Sequence, residues 1–147
     1  MNLINFDDCI YQGKINNDFF HFIIQQNSLS RSEKLKLRTL FLFAEHFKFS
    51  RKKYWYLLNQ IYCFKEAVPA FYEKHKKNIN MNVCSAIPED TTVLSKSPLC
   101  LTQPFLPKQI REHIGYRVDM ETLTVTESEL NEKKLKRKLL CHDVHIN

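Results

Sequence analysis

Apolar positions along this chain recur mainly at helical spacing, most clearly in residues 30–76. Ser30-x-x-Glu33 matches a capping box, in which each side chain satisfies the other residue's backbone amide, and it predicts a helix running to about His46. Leu37, Leu40, Phe41, Ala44 and Phe47 repeat with the period of one helix face, and Leu42 and Phe43 widen that stripe. A break at Lys48-Phe49 leads to Ser50 as the next N-cap. From residue 51 a second helix projects Tyr54, Leu57, Leu58, Ile61 and Phe64 to one side. At 100° per residue, Lys52, Tyr56, Asn59 and Cys63 fall opposite, with Trp55 beside them. Pro69 lacks the amide that a continuing helix needs, so a kink or restart is expected near Val68.

Upstream, residues 1–16 fit either a short helix or a strand pair, with a turn at Gln12-Gly13. Asn17 or Asp18 then caps a helix over 18–27 whose Phe19, Phe20, Phe22, Ile23 and Ile24 call for burial on more than one side. Downstream, Pro88, Pro98, Pro104 and Pro107 break the helical period. Residues 78–107 read as a long apolar loop packed over the helical body, with short strands at 81–84 and 92–94. Pro107 suits the first turn of a helix over 108–114 that Gly115 ends. β-leaning runs at 116–118 and 123–125 predict a minor hairpin over 116–126. Thr126-x-x-Glu129 opens a last helix to about Leu140. The sum is a mainly α, single-domain chain of five or six helices: a helical core at 1–77, the packed loop at 78–107, and a C-terminal part at 108–147.

Composition narrows the function. Two glycines, Gly13 and Gly115, cannot build a phosphate-cradling loop. The five cysteines are odd in number and scattered, without the paired spacing of a disulfide framework or zinc ribbon, and Asp7 and Asp8 stand where a cleavable leader needs apolar residues. An intracellular, reducing compartment is therefore expected, cytoplasm or nucleus, with leaderless secretion also compatible. No apolar run approaches the roughly 18 residues of a membrane span. The net charge of +6 favours nucleic acid or another anionic partner without requiring one.

No spacing predicts a nucleophile beside a base, so the expectation is a non-enzyme with no cofactor. Cys141, His142 and His145 are metal-capable, but a chain-end trio without a fourth donor reads as a solvated tail. Lys133, Lys134, Lys136, Arg137 and Lys138 form the densest charge; they suit phosphates or an import signal, and equally the wet face of an ordinary helix whose apolar stripe is too thin for stable membrane insertion.

The strongest constellation is the break between the two central helices. Read as a helix-turn-helix, it gives Arg51, Lys52, Trp55 and Asn59 to the major groove, with Lys48 and Lys53 on phosphates. Nucleic-acid binding in a regulatory role is thus the first expectation. A protein partner is the alternative, because Trp55 and Tyr56 beside Arg51 and Lys52 also have the composition of an interface hot spot. Oligomeric state is not legible.

Overall fold

The structure, a computed structural model, describes residues 2–47, 51–110, 112–119 and 124–127. Within them the chain is mainly α, as the periodicity predicts, with six α-helices gathered on a small mixed sheet. In chain order the elements are β1 (Asn2–Asn5), α1 (Ile15–Ile24), α2 (Arg31–His46), α3 (Arg51–Ile61), α4 (Val68–His75), α5 (Met81–Ala86), β2 (Thr91–Pro98), α6 (Leu99–Thr102), β3 (Glu112–Asp119) and β4 (Thr124–Glu127).

Ser30 caps α2 as expected: the Glu33 amide donates to Ser30 Oγ at 3.1 Å, while the Glu33 carboxylate accepts from the Ser30 hydroxyl at 3.1 Å rather than from the Ser30 amide, and α2 ends at His46. The helix also restarts at Pro69, behind a short 3-10 turn over Phe64–Ala67. The first helix, however, starts at Ile15 rather than at Asn17 or Asp18. Its first amide is satisfied from a distance, by Asp7 Oδ1 at 3.1 Å, while Asp18 accepts instead from the Tyr11 hydroxyl at 2.6 Å. A tertiary cap of this kind leaves no local sequence signal.

The larger departure is residues 78–107, which are not an extended loop. They contain α5, β2 and α6; β2 contains the short strand expected at 92–94, but it is longer and is a central strand of the sheet. The strands run in the order β1-β2-β3-β4, the first three parallel and β4 antiparallel to β3. The expected hairpin is present as the β3–β4 pair, with Val118 beside Val125, but as one edge of this sheet. Residues 81–84 are helical, and 112–114 belong to β3 rather than to a helix. The predicted C-terminal helix and its basic run lie outside the described residues, save that Thr126 and Glu127 belong to β4.

One aromatic-rich core holds these layers together. Phe19 meets Phe71, Phe64 and Trp55 at centroid distances of 5.0, 5.8 and 6.2 Å, and Phe71 passes the contact to Phe105 at 5.9 Å. Phe105 in turn touches Tyr11 and Phe6, which follow β1. Edge-on and tilted ring pairs of this kind stabilise beyond the area they bury. Both Leu3 and Ile4 of β1 are buried, as befits a parallel strand covered on two faces. β2 buries polar residues with their partners supplied: Thr91 Oγ1 donates to the Pro88 carbonyl at 2.7 Å, and Ser97 Oγ donates to Asn16 Oδ1.

The β2–β3 register shifts between Leu94 and Pro98, opposite Gly115. There a Cβ would stand 2.7 Å from the Ser97 carbonyl oxygen and 3.0 Å from Leu99 Cδ2. A glycine is needed for close approach of two backbones, not to end a helix. Gly115→Ala should therefore lower unfolding free energy by about 1–3 kcal/mol, seen as a lower urea midpoint; an unchanged midpoint contradicts this packing.

Candidate functional site

α3 carries most of the residues singled out above, and its environment decides their roles. α2 packs on one side of it, and β2, β3 and β4 on the other. A helix held between two layers has two buried faces, whereas the projection from sequence assumes one. Tyr54 and Leu58 are buried as expected, and Leu57 and Ile61 are half-buried. Trp55 and Asn59, assigned to the outer face, are instead 0% and 3% exposed. The Trp55 indole tilts against Phe64 at 5.3 Å, and its Nε1–H points to the Lys96 carbonyl at a long 3.4 Å. Neither residue can reach a base edge or a partner surface, which takes Trp55 and the adenine-reading Asn59 out of the helix-turn-helix reading.

The rest of that constellation divides. Lys52, Lys53 and Tyr56 are exposed. Arg51 opens α3. Lys48, Lys133, Lys134, Lys136, Arg137 and Lys138, like Cys141, His142 and His145, lie outside the described residues. Among the described residues, no three His, Cys, Asp or Glu gather in a way that could hold a metal ion. Nor is any helix there long and apolar enough to cross a membrane.

What sequence reasoning missed is on α2. Only Leu37 and Leu40 are fully buried there, and Phe41 and Ala44 half so. Leu35, Leu42 and Phe47 are 65%, 64% and 58% exposed, and Phe43 is 47% exposed. The Phe43 and Phe47 rings stack on each other, with centroids 5.2 Å apart. Where α2 meets α3 the surface sinks into an apolar groove, with Leu35, Leu40 and Phe43 facing Leu57 and Ile61. Phe47, expected in the core with Leu42 and Phe43, borders the outer half of this surface with His46. The signal was available: α2 has more large apolar residues than one helix face can cover.

A second cluster joins the sheet to α6. The register of β3 sets His113 beside Val93 and Glu112 beside Thr92. Successive strand residues alternate faces, so Glu112 and His113 diverge on a strand as they would on a helix. The His113 ring lies 2.9 Å from Thr102 Oγ1 through Nε2 and 3.3 Å from Gln103 Oε1 through Nδ1. With Nδ1–H donating to the Gln103 side-chain Oε1, Nε2 faces the Thr102 hydroxyl, which also has the Pro98 carbonyl within reach at 3.3 Å. Thr102 is fully buried, so its hydroxyl meets no substrate. The Cys84 and Cys100 thiols are pushed up by burial, the opposite of what a nucleophile needs. The cluster is a latch between β3 and α6.

Compared with known protein families, characterised proteins and solved structures, the chain matches none.

The latch has a pH signature. Burial pulls the His113 imidazole from 6.5 down to about 4. Below pH 6.5 the unfolded chain takes up a proton that the folded chain refuses, so stability is full above that pH and is lost as pH falls toward 4. The loss attributable to His113 is about 1–3 kcal/mol. Urea unfolding at neutral pH and near pH 4.5 should show His113→Gln losing less stability than the natural chain; equal losses contradict the assignment.

Proposed function

We propose that this protein is a non-enzymatic interaction module whose partner is another protein, bound through the apolar surface of α2 and the α2–α3 groove. The observation that carries the reading is the row of large apolar side chains, Leu35, Leu42, Phe43 and Phe47, left exposed along one helix. Contiguous apolar patches mark interaction sites, while single exposed apolar residues do not. Covering these four half-exposed side chains is worth about 1 kcal/mol each, or about 4 kcal/mol together. The site thus differs from the Trp55, Tyr56 and Arg51 surface expected for a protein partner.

Nucleic-acid binding is the second reading, favoured by exposed Lys52, Lys53 and Tyr56 at the start of α3. It ranks second because no comparable row of exposed residues supports it among the described ones. Each neutralised phosphate contributes about −0.9 to the slope of log K against log salt. Lys52 and Lys53 alone give a slope near −2, so the roughly 6–10 phosphate contacts of specific regulators would need Lys48, Arg51 and the basic run 133–138 as well. Placement in the cytoplasm or nucleus accompanies either reading as part of the proposal.

The two readings separate in one comparison. Retention of a protein partner from an extract of the source cells should persist at high salt, survive Lys52→Ala with Lys53→Ala, and vanish in Leu42→Ser with Phe43→Ser. The latter variant should still fold, melting only modestly lower, because Leu42 is mostly and Phe43 about half exposed. Mixed DNA and RNA duplexes should bind weakly or not at all near 50 mM salt. Tight duplex binding that falls steeply with salt and is lost in the lysine variant would reverse the assignment.

A further inference from the structure

We infer that the pocket between the turn after α6 and the start of β3 binds a small aliphatic zwitterion, of the class of a free α-amino acid. The pocket has a volume of about 480 Å³ and shares no lining residue with the α2–α3 groove. That volume falls in the range of about 300–1,000 Å³ usual for small-molecule sites. Its apolar wall is half-buried: Leu99 of α6, then Leu106, Pro107 and Ile110 of the segment leading into β3. Gln103, Lys108 and Glu112 bring polar groups to the same space. The His113 latch holds the two sides together, since its ring reaches both Thr102 and Gln103 of the α6 side from β3.

Charge selects the kind of ligand. Lys108 and Glu112 supply one charge of each sign to the lining, and both are exposed. They do not pair with each other, and neither joins any other ion pair. His113 adds no charge at neutral pH, because burial holds its imidazole down at about 4. One Glu112 oxygen is approached by Thr92 Oγ1 at 3.4 Å, which leaves the other open to a donor. Gln103 Oε1 is taken by His113 Nδ1 at 3.3 Å, which leaves the Gln103 amide nitrogen to donate.

A simple anion placed here meets Glu112 as a like charge, and a simple cation meets Lys108. Like charges of this kind select against the wrong ligand. A metal ion is no better served, since both His113 ring nitrogens already have partners. A zwitterion matches every group. The carboxylate of an α-amino acid turns to Lys108 and the Gln103 amide, and its ammonium turns to Glu112. Its side chain then covers Leu99, Leu106, Pro107 and Ile110, which favours an aliphatic residue such as leucine.

The test titrates the full chain with L-leucine, L-leucinamide, N-acetyl-L-leucine and glycine. The readout is the His113 ring resonances in NMR, assigned by their loss in His113→Gln. L-leucine should bind with a Kd of about 1 mM, the strength of two surface pairs and one covered side chain. Leucinamide lacks the carboxylate and N-acetyl-leucine lacks the ammonium, so each should bind about fivefold weaker. Glycine, without a side chain, should bind at least about tenfold weaker. Lys108→Ala should weaken leucine about fivefold without weakening leucinamide. Glu112→Gln should weaken leucine about as much without weakening N-acetyl-leucine. Phe43→Ser, on α2, should leave all four affinities unchanged. No shift with L-leucine at about twenty times the expected Kd overturns the inference. So does equal affinity for leucine and any of the other three, or leucine binding indifferent to both Lys108→Ala and Glu112→Gln.

Discussion

The rest of the molecule depends on the packing of one indole. Trp55 lies fully buried where α3 crosses from the helical layer to the sheet, against Phe19 of α1 and Phe64 of the following turn, with its N–H directed at the β2 backbone. Filling that junction turns the Trp55 and Asn59 stripe of α3 inward as well as the Tyr54 and Leu58 stripe. Little of α3 is then left for solvent beyond Lys52, Lys53, Tyr56 and Gln60. Since α2 packs against the remaining flank of α3, only a narrow strip of α2 is covered, and its other apolar residues stay outside. The exposed row on α2 is thus a consequence of how α3 is used.

Buried polar groups show where this arrangement is costly. Asn16 and Ser97 satisfy each other in the core, and the Tyr11 hydroxyl is shared between Asp18 and Asn78. The Asn59 side chain is buried with no hydrogen-bond partner among the described residues. Leaving an amide unpaired costs about 1–3 kcal/mol. The aromatic cluster around Phe19, Phe71 and Phe105 offsets that cost at the same junction.

How much of this was legible in the sequence depended on whether the determining contacts were local. Ser30 and Glu33 announce the start of α2 because both partners of the capping box lie within one turn. Pro69 announces the restart at α4 for a similar reason. The start of α1 was missed because its cap, Asp7, is eight residues away. β2 was legible only as the short strand at 92–94; its full length and central place were not, because Thr91-Thr92-Val93-Leu94-Ser95-Lys96-Ser97-Pro98 is polar and ends in proline, yet it is buried by neighbours that only the fold supplies. For the site, the period of α3 placed Tyr54 and Leu58 correctly, but no single-face projection can reveal that a helix is covered twice. Leu35, Leu42, Phe43 and Phe47 were visible as apolar residues all along; that they are surplus to the core was not.

The central claim is that α3 points its aromatic stripe into the fold, which leaves α2 and the adjoining groove as the proposed interaction surface. Trp55 is the chain's single tryptophan, so its fluorescence reports on this position alone. Acrylamide quenching should be far weaker in the folded protein than in urea, with blue-shifted emission that Phe43→Ser leaves unchanged. Quenching in the folded protein as strong as in urea would put Trp55 on the surface and contradict the account.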